Sequence, residues 1–321
     1  MSKSIRVNLE RREVPPIDKI GGIFPRGYVS IVASKAGVGK TWFMLRIAMA
    51  LSKGEDVFRV VYKPVPRKVC IFVGETGIDL LVRRLNVMRY GFDSNLIIAY
   101  DGLSAQMENE AFDASSAEGR NRMVSFLLKD LPDIVFIDTL ASFMSGDESD
   151  TVCMKSVISF FQRLAQRFNI AVVLNHHLRK NVVGGSVQKK TQDELIGSSL
   201  LSRMSGSIFL MVANEEKNVI DVHNVKSWDE KFPVIRMTII PNSGFVDIDL
   251  KIDSNRRIVM LFEEFIRRER EFTIATVNEL LCIGNDNTRY FLDKYVDSGK
   301  LEKEVSLKEG GGYVTTYRLK N

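Results

Sequence analysis

No apolar run in these 321 residues approaches the roughly 20 needed to span a bilayer, and residues 1–12 are polar and charged, with nothing that suggests export. The reading is a soluble, cytoplasmic protein. Cysteine is scarce: Cys70, Cys153 and Cys282 are far apart, odd in number and set among apolar residues. That excludes a disulfide framework and offers no metal-ligand spacing. The prolines cluster where the chain must break, at Pro15, Pro16 and Pro25 and again at Pro64 and Pro66. A hydrophobic share of 45% suffices for one large core and a smaller second one. Charge leans one way, with a net +5 and a pI near 9.0. An anionic partner fits that balance, nucleotide and nucleic acid alike.

The chain is organised around Tyr28 to Met44. A β-branched run, Val29 to Ala33, feeds Ser34, Lys35, Ala36, Gly37, Val38 and Gly39, and a helical period begins near Lys40, Thr41 and Trp42. This reads as strand, phosphate loop and helix start. Successive backbone N–H groups in a tight loop, with the positive end of a helix behind them, form an anion cradle. Lys40 supplies a mobile charge for the β and γ phosphates, and Thr41 a hydroxyl for Mg²⁺. Ser34 stands where the motif has its first glycine. Gly37 and Gly39 keep the backbone permissive where phosphate must come close.

Three later apolar runs end in polar residues, as parallel strands do at a ligand crevice. Val69 to Val73 ends in Gly74-Glu75-Thr76, which makes Glu75 a candidate general base; an ordinary solvated acidic turn reads the same way. Ile134 to Ile137 ends in Asp138-Thr139, some hundred residues past the phosphate loop, where an acid orients the Mg²⁺ hydration shell. Ile170 to Leu174 ends in Asn175-His176-His177. A histidine pair there points to a γ-phosphate sensor, against the plainer reading of a satisfied core or surface residue.

Residues 179–196 form a basic, glycine-bearing loop in which Arg179, Lys180, Lys189 and Lys190 carry charge suited to phosphates, or simply to solvent. Strands are expected at Ile208 to Val212, Val219 to Val225, Val234 to Ile240 and Phe245 to Ile248, the last three antiparallel, with Lys226 at the end of one. From residue 254 the pattern changes to three helices and a β-ribbon around Gly310, Gly311 and Gly312, which spells a winged helix. In its second short helix, Asn285, Asn287, Thr288 and Arg289 lie near the end that would enter a major groove, with Lys294 beyond; a protein dock is the rival use. The expected division is residues 1–253, of which 1–27 are an arm and lead-in loop, and 254–321.

The order of phosphate loop, Glu75, Asp138-Thr139, His176-His177 and the Gly-Ser-Ser at 197–199, behind a Gly-Gly-Ile-Phe-Pro-Arg-Gly lead-in at 21–27, resembles the RecA/DnaB class of ATPases. Within it the likeness is to RepA-type hexameric replicative helicases of plasmids, over about residues 15–250. The resemblance implies an α/β fold, a RecA-like P-loop core with a mostly parallel twisted sheet, and subunits in a homo-oligomeric ring, expected to be a hexamer, with ATP and Mg²⁺ held between neighbours. It implies that residues 34–42 cradle the nucleotide, that Thr41 and Asp138 serve the metal, that Glu75 activates water and that His177 senses the γ-phosphate. Arg84 stands where the family can place an arginine beside adenine. The trans-acting arginine departs from the pattern: Gly206 occupies its place, leaving Arg203, three residues earlier, and Lys226 as candidates. The expected activity is an ATP-driven helicase, with single-stranded DNA in the ring channel and duplex DNA at the winged helix. An ATP-switched DNA-binding regulator and a scaffold or loader ATPase without translocation are the alternatives.

Overall fold

Each continuous apolar run becomes a strand covered on both faces, and the helices between them supply the cover. The computed structural model describes residues 17–88, 93–100, 112–147, 150–178, 199–228, 230–240, 246–307 and 310–320. In chain order, β1 (Lys19–Ile20) and β2 (Phe24–Pro25) pair as a small hairpin ahead of β3 (Val29–Ser34), α1 (Lys40–Lys53), β4 (Val69–Val73), α2 (Ile78–Val87) and β5 (Leu96–Tyr100). Next come α3 (Ala117–Asp130), β6 (Ile134–Asp138), α4 (Thr151–Phe168), β7 (Ala171–His177), α5 (Ser199–Met204) and β8 (Ser207–Ala213). Three strands follow without helices: β9 (Val219–Ser227), β10 (Ile235–Ile239) and β11 (Val246–Leu250). The last stretch holds α6 (Ser254–Arg268), β12 (Glu271–Thr273), α7 (Ile274–Leu281), α8 (Asn285–Asp297), β13 (Leu301–Leu307) and β14 (Tyr313–Leu319).

Among the described residues the main sheet has nine strands in the order β11-β10-β9-β8-β3-β7-β6-β4-β5. From β8 to β5 the neighbours are parallel, and β9, β10 and β11 extend the sheet antiparallel. Alternation distributes each strand between two cores. Ile71, Phe136 and Val173 pack with α1 and the lead-in on one face, while Cys70, Val135 and Val172 pack with α3 and α4 on the other. Phe24, from the lead-in, sets its ring edge-on to Phe136 and Phe209, which fixes the hairpin over the strands. No helix among the described residues is long and apolar enough to cross a membrane.

Residues 254–320 have a cluster of their own, centred on Phe262, Phe265, Phe272 and Tyr317, under the sheet β12-β14-β13. Tyr62 joins the two parts: its ring meets Phe265 edge-on at 4.9 Å and its hydroxyl donates to Glu269 at 2.8 Å.

Most strand expectations coincide with the structure, and the differences have local causes. β7 continues past Leu174 to His177, because β3 offers a register partner for every residue as far as Ser34 opposite His177. β9 likewise runs through Lys226 to Ser227, paired with Ser207. β12 is three residues long, too short for alternation to announce, and is made by pairing to β14. α7 starts at Ile274, directly after Thr273, because Thr273 and Thr276 cap each other reciprocally.

Candidate active site

Parallel strands end together, and here three of four neighbouring strands end in polar side chains while the fourth, β4, runs on through Gly74 to Glu75. The pairing sets Ser34 opposite His177 and Val73 opposite Asp138, so the residues after β3, β4, β6 and β7 meet at one edge of the sheet. The loop from Lys35 to Gly39 closes over this edge. Gly37 has φ +78° and a Cβ there would meet open space; Gly39 has φ +112° and caps α1 without a side chain. The first turn of α1 carries no acid, so its N–H groups face the loop uncompensated by negative charge.

Lys40 is buried, and its Nζ donates to Ser34 Oγ at 3.1 Å and lies 3.0 Å from His177 Nδ1. Burial pulls the Lys40 ammonium below its ordinary pKa, and the Asp138 and Glu75 carboxylates work against that pull. Thr41 Oγ1 donates to Asp138 Oδ2 at 2.8 Å, and Asn175 Nδ2 donates to Asp138 Oδ1 at 2.9 Å. Burial pushes the Asp138 carboxyl up, the bonds from Asn175 and Thr41 hold it down, Glu75 pushes it further up and Lys40 holds it down. Glu75 is exposed, with Oε2 3.3 Å from His177 Nε2. Lys40, Thr41, Glu75, Asp138 and His177 are thus drawn into one connected cluster.

These residues fit a nucleoside triphosphate with a divalent metal. A buried cation that no carboxylate among the described residues contacts, a glycine loop open on its outer side at Gly37 and a hydroxyl–carboxylate pair suit, respectively, the terminal phosphates, the phosphate backbone and Mg²⁺. Arg84 stands over the Trp42 ring at 5.5 Å and reaches Thr76 Oγ1 at 3.4 Å, which brings it beside the start of α1.

Other candidates lie elsewhere. Lys226 is opposite Ile208, and Ser207 is beside Ser30, so Lys226 belongs to the sheet edge away from the phosphate loop. Its Nζ donates to Ser205 O at 2.7 Å, and burial lowers its pKa. Arg203 is exposed on α5 at that same far edge, where Gly206 N donates to Val29 O. A Cβ at Gly206 would come within 3.1 Å of Tyr28 Cβ, which accounts for the missing side chain at that position. Arg179, Lys180, Lys189 and Lys190 lie outside the described residues. Asn287 and Arg289 are exposed on α8, but Thr288 is fully buried and bonds Gly284 O, so it is corrected from a base-reading residue to a structural one.

Sequence reasoning gave no role to Asn175, which orients the Asp138 carboxylate. Its signal was a polar residue within an otherwise apolar strand, one place before the histidine pair. Nor did it anticipate that Ser34, in place of the motif glycine, holds the Lys40 amine.

Solved structures with the same fold include an ATPase domain at 17% identity over 71% of this chain and 86% of that one, with a TM-score of 0.50. A DnaB-like replicative helicase, described with its interactions with primase, is 18% identical over 70% of this chain, with a TM-score of 0.50, and this chain spans 58% of it. A KaiC-like protein from the hyperthermophilic archaeon Pyrococcus horikoshii is 10% identical over 73% of this chain and 99% of that one, with a TM-score of 0.50. These likenesses give the fold, an α/β sheet of the RecA-like P-loop kind. No curated protein matches the chain significantly. The family model described as an AAA domain (AAA_25) matches residues 4–182, more than half of the sequence and all of the phosphate-loop cluster, so the chain belongs to the AAA domain family.

Proposed function

We propose that this protein hydrolyses ATP and uses the energy as a DNA-associated motor, a RepA-like replicative helicase of a plasmid or other mobile element. The observation that carries the reading is the single cluster of Lys40, Thr41, Glu75, Asp138 and His177 at the ends of adjacent parallel strands. Lys40 and the loop amides bind the phosphates, Thr41 and Asp138 hold the metal side, Glu75 takes a proton from the attacking water, and His177 faces the terminal phosphate. Mg²⁺, when bound, neutralises charge on the phosphate oxygens. The likeness to a solved ATPase domain and to a DnaB-like replicative helicase supports the motor reading.

A ring is supported by the separation of the basic candidates from the cluster. Arg203 and Lys226 sit at the far edge of the sheet, so either serves a phosphate only across a head-to-tail contact with a second copy. Ile78, Leu80 and Val82 on α2, each more than 40% exposed next to the site, give that contact an apolar surface. The basic segment 179–196 is assigned to single-stranded DNA in the channel.

Residues 254–321 form a second domain on this reading, and the order of three helices with β13 and β14 as a ribbon supports a winged helix. One observation favours a second use for it. Its charges are paired among themselves, Arg318 with Glu271 and Glu304, Lys303 with Asp293 and Lys300 with Glu263, which leaves less cationic surface for DNA and suits a protein dock. ATPase rates with and without single-stranded DNA, beside strand displacement on a forked substrate, separate the two. DNA-stimulated hydrolysis with displacement supports the motor; DNA-independent hydrolysis without displacement supports a scaffold or loader.

A further inference from the structure

An ammonium group donates through every proton and accepts through none, so the 3.0 Å contact of Lys40 Nζ with His177 Nδ1 requires a lone pair on that nitrogen. A neutral imidazole with a bare Nδ1 carries its one proton on Nε2, which lies 3.3 Å from Glu75 Oε2 and donates there. Lys40, by taking the Nδ1 lone pair, and Glu75, by accepting from Nε2, thus favour the same tautomer of His177, and that tautomer holds the carboxylate. The middle of this chain of contacts is stiff: His177 is the register partner of Ser34, and Lys40 is 5% exposed and held from its other side by Ser34 Oγ at 3.1 Å. Its far end is loose. Glu75 is exposed, and His177 is the one side chain among the described residues that restrains it.

We infer that His177 is a positioning residue through which the bonding of Lys40 controls Glu75, so that the candidate base is released only when a triphosphate draws Lys40 away. This rests on the nucleotide reading of the site. An anionic phosphate is a stronger partner for an ammonium than a neutral imidazole is. Once Lys40 turns to it, Nδ1 faces phosphate oxygen in place of a donor, and a proton is favoured on Nδ1. Nε2 gives its proton to water while Nδ1 takes one from water, and the charge of the ring is unchanged. The bare Nε2 then repels the Glu75 carboxylate, which is freed to bind and orient a water. Hydrolysis is thereby withheld until its substrate is seated.

The chain has three histidines, so ¹⁵N-histidine labelling of the full-length protein, with His177→Gln for assignment, resolves the ring directly. Without nucleotide, the His177 proton is expected on Nε2 in the wild type, and this preference is expected to weaken in Lys40→Met, where Glu75 alone supports it. With a non-hydrolysable triphosphate analogue and Mg²⁺, the proton is expected on Nδ1. Calorimetry on the same sample reports whether the analogue binds. An Nε2 proton that persists with the analogue bound, or that is unchanged by Lys40→Met, overturns the inference and leaves the nucleotide reading standing. Failure of the analogue to bind overturns both.

Discussion

Thr41 and Asp138 are 97 residues apart in the chain, and Thr41 Oγ1 donates to Asp138 Oδ2 at 2.8 Å. The first residue belongs to the first turn of a helix and the second ends a strand. Sheet pairing of β6 with β4 and β7 brings the strand end under the phosphate loop. The pair predicts that nucleotide affinity depends on Mg²⁺ through these two side chains. Thr41→Val and Asp138→Asn should each weaken Mg²⁺-nucleotide binding by about tenfold or more, while binding in EDTA changes little. Titration calorimetry with and without EDTA checks this.

Lys40 should cost stability in the protein without nucleotide, because its charge is desolvated and the carboxylates that favour it are not in contact. Its pKa in the folded chain lies below the ordinary 10.5, so the unfolded chain keeps its proton to higher pH than the folded one. Wild-type stability therefore rises with pH in the window just below 10.5 and is reduced below that window. Lys40→Met should lack the rise and melt roughly 2 °C higher at neutral pH, even though it no longer binds nucleotide. Thermal melts of both proteins across pH measure the difference.

Lys226 and Arg203 should act on a neighbour's nucleotide. Specific ATPase activity should fall on dilution as rings dissociate, and either Lys226→Ala or Arg203→Ala should remove most of it. Mixing the impaired variant with Lys40→Ala subunits should restore part, since each supplies what the other lacks. Specific activity that stays constant through dilution in a monomer contradicts this arrangement.

The ends of β4 and β6 were legible in sequence because strands buried on both faces read as unbroken apolar runs, and the first polar residue after each run, Glu75 and Asp138, marks the edge; in β7 the apolar run stops at Leu174 while the strand goes on to His177. Two features were hidden. The Lys40–His177–Glu75 chain depends on the register of β3 with β7, which no local pattern encodes. Thr288 looked like a base-reading side chain, but a polar residue facing a core and returning its hydroxyl to the preceding turn has the same letter in sequence.

Phe262 is fully buried and touches Phe265, Phe272, Phe291 and Tyr295. If residues 254–320 fold as a unit of their own, Phe262→Ala should destabilise that unit by roughly 3–5 kcal/mol. The melt should then split into two steps, with basal ATPase lost only in the later one. Calorimetry beside activity at each temperature checks it.

Arg289 is exposed on α8. Arg289→Ala should weaken duplex DNA binding by the full-length protein several-fold at moderate salt and leave basal ATPase unchanged. A filter-binding or anisotropy series over salt concentration reads the effect. An unchanged affinity assigns the module to a protein partner.

Single-turnover ATP hydrolysis in Glu75→Gln decides whether Glu75 is the base. This variant should bind ATP about as well as the wild type and hydrolyse it at least about 100-fold more slowly, because the shape is kept and the proton acceptor is gone. Turnover near the wild-type rate with ATP bound would contradict this, since Glu75 would then not be the base.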